Sequence, residues 1–512
     1  MLRSSSSQLI RALLLGGFAV AALMLHVKTA EATEPRARAK SNPPNVVWII
    51  PDDMSANFSC YGETAVKTPN VDRLAAEGVK FTNAVVTAPV CSTCRSAFIT
   101  GMYQTSIGAH HHRSGRGARK INLPENIQLV PKLFQDAGYY TTISGWPVNP
   151  ARLGKTDYNF EWDREIYNGS DWANRKPGQP FFAQIMTPGG KLRGSDSTGW
   201  DRMGTAANKA FGAETPESAV ELPPYYPKHP DIIRDWKAYL ESVRLTDRMV
   251  GEVLDRLEKE CLRENTLVLF MTDHGISHAR GKQFLYEEGI HVPLVISGPG
   301  IEAGSVREDV VEHIDIAALS LGAAGIEIPK SMQARDILSK DYQPREYVFS
   351  ARDRCDETVD HLRSVRDKRF KYIRNFLPER PYLQPCAYKD AKRILIALRE
   401  WHVAGKLNAA QETIFRQTRP VEELFDMQAD PHELNNLAQD PRYAEQLAKM
   451  RQALDDWMES SGDQGRTPES AEMYDSDMAV YLSGIKRKKS AAHLQRISDN
   501  IALMKKWAAE GK

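Results

Sequence analysis

Two apolar runs of strand length, each ending abruptly in acidic residues, constrain this chain more than any other feature. Asn45–Ile50 reads NVVWII and runs straight into Pro51-Asp52-Asp53. Thr266–Thr272 reads TLVLFMT and runs straight into Asp273-His274-Gly275. A continuous β-branched, apolar run without polar alternation suits a strand covered on both faces. A third such run, VPLVIS, follows at Val292–Ser297. Between the first two, Ile232, Trp236, Tyr239, Leu240, Val243, Val250, Val253, Leu254 and Leu257 repeat at helical spacing, which predicts a long helix within 231–263. Val71–Gly78 reads as a short helix ended by its glycine. Strands alternating with helices predict an α/β fold with a large, mostly parallel sheet flanked by helices.

From about residue 346 the pattern changes. Leu362–Arg366 and Arg369–Arg374 flank Asp367-Lys368 as a hairpin would. Residues 388–416 read as helical, Glu422–Met427 as a strand, and 441–458 as a helix able to pack on a small sheet. This predicts a smaller C-terminal α+β domain with an antiparallel sheet. The expected division is a signal segment at 1–32, a catalytic domain at 33–345, the α+β domain at 346–461 and a polar helical tail at 462–512, with a basic patch at 485–489.

The signal segment rests on Arg3 and Arg11 around the start of an apolar run, Ala12–Leu25, and on small residues at Ala30-Glu31-Ala32. The run is too short to span a bilayer, so the chain is expected to be exported, to a periplasm or the extracellular space. With 67 Lys and Arg against 66 Asp and Glu, the formal net charge is +1. That balance argues against nucleic acid as the partner. The six cysteines, Cys60, Cys91, Cys94, Cys261, Cys355 and Cys386, are not needed as a disulfide framework in a chain of this length. The close pair Cys91 and Cys94 has no second pair to make a zinc site.

In a parallel sheet, ligands collect beyond the carboxyl ends of the strands. Either acidic strand end alone would read as the cap of a turn. Brought together, the carboxylates of Asp52, Asp53 and Asp273 repel one another unless a cation lies between them. Hard oxygen ligands in that number favour Ca²⁺ or Mg²⁺.

The segment Val90–Gly101, VCSTCRSAFITG, resembles the signature of the arylsulfatase-type sulfatases, C-x-P/A-S/T-R followed by a helix and T-G. That family belongs to the alkaline-phosphatase superfamily, and the nearest likeness is to bacterial relatives of heparan N-sulfatase. The resemblance implies that Cys91 is oxidised before folding, by a formylglycine-generating maturation enzyme, to 3-oxoalanine (formylglycine). The aldehyde hydrates to a geminal diol, of which one hydroxyl attacks sulfur and the other later expels sulfate. Arg95 would hold the nucleophile and metal side in place. The resemblance runs over roughly residues 45–460. NVVWIIPDDM and TPNVDRLAAEGVKFTNA look like the family's opening block, and NTLVLFMTDHG like the block that completes the metal site. They imply one Ca²⁺ held by Asp52, Asp53, Asp273, His274 and the residue made from Cys91. Gly281-Lys282 before YEEGIHVPLV matches the run that carries a sulfate-binding lysine. HIDIAALSLGAAGIEIP and VEELFDMQADPHELNNLA resemble later family blocks.

The chain departs from the family at four places. Thr93 stands where Pro or Ala is usual, and Cys94 where Ser or Thr is usual. Gly154-Lys155-Thr156-Asp157 keeps the family's lysine, but Asp157 replaces a histidine. PFFAQIMTPGGK puts Lys191 where a second histidine would protonate the leaving oxygen. The general acid is therefore open: Lys191 with a depressed pKa, or one of His110, His111, His112 and His278. Arg95, Lys155, Lys191 and Lys282 with Ca²⁺ would set cationic charge around one tetrahedral anion. His112, Arg352 and Asp353 are candidates to face a sulfated sugar, because ARDRCDE at 351–357 and the basic stretch 363–382 resemble the C-terminal region of the N-sulfatase relatives. The expected reaction is removal of O- or N-sulfate from a sulfated glycan. The alternatives are a phosphoesterase or phosphonate hydrolase of the same superfamily, and a sulfated-glycan binding protein that has lost catalysis.

Overall fold

β1 (Asn45–Pro51) is buried at every position in the computed structural model, which describes residues 43–487 and 490–512. The expected signal segment lies outside the described residues. Trp48, Val46 and Ile50 pack on one face of β1, and Val47 and Ile49 on the other, in two separate apolar cores. An apolar run without alternation is what a strand facing two helical layers requires.

β1 is an interior strand of a seven-stranded sheet that also contains β2 (Gly78–Val85), β3 (Tyr140–Ser144), β4 (Phe181–Thr187), β5 (Thr266–Met271), β6 (Leu294–Ser297) and β7 (Ser305–Glu312), in the order β3-β4-β1-β5-β6-β2-β7. β1 pairs parallel with β4 on one side and β5 on the other. β6 runs antiparallel to both of its neighbours, so the sheet is mostly parallel. The long helix is Pro230–Lys259, and its apolar stripe, including Trp236, Leu240, Val243 and Leu254, fills the second core.

The early helix ends sooner than its sequence suggests. It spans Pro69–Ala76, with Glu77 as its C-cap, and Gly78 already belongs to β2. Gly78 is needed there for a close approach: a Cβ would stand 2.1 Å from the Ile296 carbonyl oxygen of β6.

A second sheet has the order β11-β10-β9-β8, all antiparallel, from β8 (Val348–Arg352), β9 (Leu362–Arg366), β10 (Phe370–Asn375) and β11 (Glu422–Asp426). The helix Ala444–Ser460 covers it, and Trp457 stacks on Phe349 at 4.9 Å between ring centres. Val365, Tyr372, Leu424 and Met450 join the same core as Trp48. The stretch 388–416 breaks into the helices Ala387–Asp390, Arg393–Val403 and Ala409–Glu412.

The tail helices Ala471–Lys486 and Ala491–Ala509 share a small core of Tyr474, Met478, Ile497, Ile501 and Met504 with Ala387. Buried ion pairs attach this region: Arg354 meets Glu469 and Asp477, and Arg363 meets Asp463. Among the described residues, no helix is long and apolar enough to cross a membrane.

Candidate active site

The parallel ladder itself brings the acidic strand ends together. It continues one step past the strands, with Asp52 N–H donating to the Thr187 carbonyl and Asp273 N–H to the Pro51 carbonyl, both at 3.1 Å. The chain then turns at Asp53, whose φ of 55° lies in the left-handed region. That turn is fixed by Asp53 N–H donating to Asp273 Oδ1 at 2.9 Å. A non-glycine residue held there is strained, and such residues gather at functional sites. Gly189 and Gly190 let the segment after β4 pass against this turn, since a Cβ on either would lie 2.2 Å from the carbonyl oxygen of Asp52 or Asp53.

Cys91 is the first residue of the helix Cys91–Thr100, so its side chain stands at the positive end of a helix. Lys282 Nζ lies 2.9 Å from its Sγ, His274 Nε2 3.1 Å and Lys191 Nζ 3.6 Å. Burial would raise this thiol, but Lys155, Lys191, Lys282 and His274 outweigh it and hold the group well below its ordinary range. Cys94 does the opposite. Its thiol donates to the Asp273 carbonyl, and burial with the Asp273 charge pushes it well up. The geometry thus separates the two cysteines, and Cys91 alone faces the cations.

Three carboxylates ring Cys91. Arg95, wholly buried, lies one helical turn on, and donates to Asp52 through Nη2 and to Asp273 Oδ2 at 3.0 and 3.2 Å. Lys155 Nζ reaches both Asp52 oxygens at 3.1 and 3.2 Å, and Lys191 Nζ reaches Asp52 Oδ2 at 2.9 Å. Lys282 Nζ and His274 Nε2 each lie 3.1 Å from Asp53 Oδ1. For Asp52 and Asp53 burial opposes ionisation, but the neighbouring cations prevail and both stay well below the usual carboxylate range. Asp273 differs: burial, with Asp52 and Cys91 adding, lifts it to about 6 against the pull of His274 and Arg95.

This donor set fits a divalent cation. Asp53, Cys91 and His274 place ligand atoms within 4.8 Å of one another, as do Asp52, Cys91 and Asp273. Asp53 Oδ2 is buried without a hydrogen-bond partner. A buried carboxylate oxygen left unpaired is costly unless something absent from the protein occupies it. Three carboxylates with one such free oxygen are the hard donors a calcium-like ion takes, and the His274 nitrogen supplies the softer position.

The other candidates separate clearly. Lys191 does not become a weak base: burial would lower it, but Asp53, Cys91 and Asp52 together raise it, so its proton is held. Asp157 is kept ionised, near 2, because Lys155, Arg116 and Arg113 outweigh its burial. His110 and His112 are buried, and His112 Nδ1 lies 2.6 Å from Ser92 Oγ, beside Cys91, with Nε2 3.8 Å from Asp356. His278 makes its contact with Asp235, at 2.6 Å, away from Cys91; burial and Arg193 lower it to about 4. Arg352 and Asp353 are not presented to a ligand. Arg352 pairs with Asp360 at 3.0 Å and Asp353 with Arg363 at 3.2 Å, all four buried.

Two groups at the site escaped sequence reasoning. Asp356, with φ of 50°, holds Arg113 at 3.3 Å beside His112. Tyr388, from the broken helical stretch, lies over Lys282, whose Nζ is 5.2 Å from the ring centre. Asp356 stands in the stretch ARDRCDE and Tyr388 in no motif, and only the folded contacts of distant segments reveal their place at the site.

A family model described as Sulfatase matches residues 44–326, and one described as N-sulphoglucosamine sulphohydrolase, C-terminal, matches residues 274–382. The chain is 35% identical over 486 residues to an ulvan-active sulfatase of Formosa agariphila, covering 87% of this chain and 79% of that protein. It is 25% identical to human N-sulphoglucosamine sulphohydrolase, over 82% of this chain and 90% of that protein. A solved structure described as a complex with its substrate D-glucosamine-2-N,6-O-disulfate shares the fold, with a TM-score of 0.57 at 19% identity, covering 82% of this chain and 98% of the other.

Proposed function

The chain belongs to the sulfatase family of sulfuric ester hydrolases, and on that premise we propose that it removes sulfate from a sulfated glycan at Cys91. The observation that carries this reading is the arrangement around Cys91 Sγ, where Lys282, His274 and Lys191 approach within 3.6 Å above three buried carboxylates. The aldehyde made from Cys91 would supply, once hydrated, the attacking hydroxyl, and a calcium ion held by Asp52, Asp53, Asp273 and His274 would polarise the sulfate oxygens.

The chain's own residues account for the rest. Arg95 fixes Asp52 and Asp273 so that neither swings away when charge in the site changes. Lys282 and Lys191 face the position of the anion, and a full charge at about 4 Å from a cation gains ~4 kcal/mol at the effective dielectric of such sites. That charge is useful where it meets the oxygens on which negative charge grows as the ester bond breaks. Lys155, a third exposed, closes the solvent side.

Sulfated polysaccharide is the substrate class that the resemblance to an ulvan-active sulfatase and to N-sulphoglucosamine sulphohydrolase supports. Export to a periplasm or the extracellular space, where such polymers are met, belongs to the same proposal.

The test is protein expressed in a host that matures sulfatases, assayed for sulfate release from ulvan and heparan oligosaccharides. Mass spectrometry of the peptide spanning Cys91 accompanies it. Release of sulfate that depends on the aldehyde and is abolished in Cys91→Ala is the expected result. An unmodified Cys91 with glycan binding but no turnover would replace catalysis by recognition. Turnover of 4-nitrophenyl phosphate and not of 4-nitrophenyl sulfate would move the chain to the phosphoesterases.

A further inference from the structure

A candidate general acid comes from the helical stretch after β10. Tyr388 lies in the short helix Ala387–Asp390 and is partly exposed, while Lys389 and Lys392 beside it are buried. Its ring faces Lys282 Nζ, the same atom that lies 2.9 Å from Cys91 Sγ. Its phenol oxygen accepts from Lys392 Nζ at 3.3 Å. The same nitrogen also meets the Ser277 carbonyl at 2.7 Å and Ser277 Oγ at 2.9 Å. Among the described residues no carboxylate pairs with Lys392, and the phenol hydrogen of Tyr388 has no committed acceptor.

We propose that Tyr388 is the proton donor to the leaving oxygen, and that Lys392 positions it. This rests on the sulfatase reading above. As the bond between sulfur and the bridging oxygen breaks, its electron pair stays on that oxygen, which takes the proton from the Tyr388 O–H bond. The phenolate formed, held by Lys392 Nζ, is reprotonated by water. No oxidant or further reactant is required.

The neighbours explain why a phenol suits the task. Lys191 and Lys282 each face the Asp53 carboxylate and approach Cys91 Sγ at 3.6 and 2.9 Å, which places them to bind an anion. Burial moves the Tyr388 phenol up to about 12, against Lys282, which brings it toward the basicity of a departing sugar hydroxyl.

The test is the leaving-group dependence of Tyr388→Phe, a change that keeps the ring over Lys282. The probes are 4-nitrophenyl, 4-chlorophenyl, phenyl and benzyl sulfate, with a thermal melt to verify folding. Wild type is expected to show a shallow dependence of kcat/KM on leaving-group basicity. The variant is expected to show a steep one, with a small loss on the nitrophenyl ester and a loss of roughly 100-fold or more on the benzyl ester. An equal slope in the two proteins, or an equal loss across the series, overturns the assignment while leaving the sulfatase reading intact. Failure of wild type to turn over any member would remove both.

Discussion

Arg354 links the candidate site to the tail, and its replacement by methionine isolates a calculable cost. The guanidinium is wholly buried and donates to Glu469 at 2.7 and 2.8 Å and to Asp477 at 2.7 Å. Arg354→Met leaves two carboxylates, 7% and 1% exposed, without their cation. Removing one partner of a buried pair costs about 3–5 kcal/mol, because the remaining charge stays desolvated. Release of the tail relieves that cost, so the detached population should rise by roughly two to three orders of magnitude. Hydrogen exchange and limited proteolysis of residues 462–512 measure it directly. The same guanidinium donates to the Asp356 carbonyl at 3.0 Å and the His112 carbonyl at 3.4 Å, so kcat/KM should fall as well. The control is Arg354→Met with Glu469→Gln and Asp477→Asn, which removes the stranded charges and should recover most of the loss. If the triple variant is as labile as the single one, stranded charge is not the cause and the reasoning fails.

Chelation followed by added Ca²⁺ should first lower and then restore the melting temperature, because ligand at a hundred times its Kd adds about 2.7 kcal/mol; a melt that ignores both would show that the lysines and arginine already satisfy the carboxylates. Gly190→Ala pushes a Cβ to 2.2 Å from the Asp53 carbonyl oxygen, and calcium affinity by titration calorimetry should fall at least about tenfold, ~1.4 kcal/mol; unchanged affinity would mean the Asp52–Asp53 turn does not set the ion site. Burial lowers Lys389 from 10.5 to about 7, so between those values the unfolded chain holds a proton the folded one lacks, and stability rises with pH across that window. Urea midpoints at pH 7 and 9 should show wild type gaining on Lys389→Met, by up to about 1.4 kcal/mol per pH unit; parallel behaviour of the two proteins would refute the burial argument.

The site was legible wherever its residues sit at the ends of strands. Asp52, Asp53 and Asp273 follow apolar runs, and a parallel sheet places such ends side by side without any need to know the loops. Cys91, Arg95 and Lys282 carried a family pattern. The walls were not legible. Arg352 and Asp353 looked like ligands for a sugar because they are charged and close in sequence, yet each meets an opposite charge inside the protein. His110 and His112 stood among the open candidates for the general acid, and nothing in three consecutive histidines shows that both are buried or that the segment after β8 packs on His112. The short early helix was misjudged at Gly78, where the need for close strand packing, not a helix cap, demanded glycine. For Gly78 and the histidines the deciding neighbour is more than 100 residues away, and for Arg352 and Asp353 it lies beyond the turn that leads to β9, so local pattern carries no trace of it.

Cys91 is only 3% exposed in the folded chain. A maturation enzyme of the kind proposed would have to grip it before the polypeptide closes. Synthesis order would serve that need, because the stretch holding Cys91 is made before Glu469 and Asp477, which tie down the wall beside it. The later arrival of that segment would then act as a clock, leaving Cys91 open to the proposed conversion until the wall is fastened.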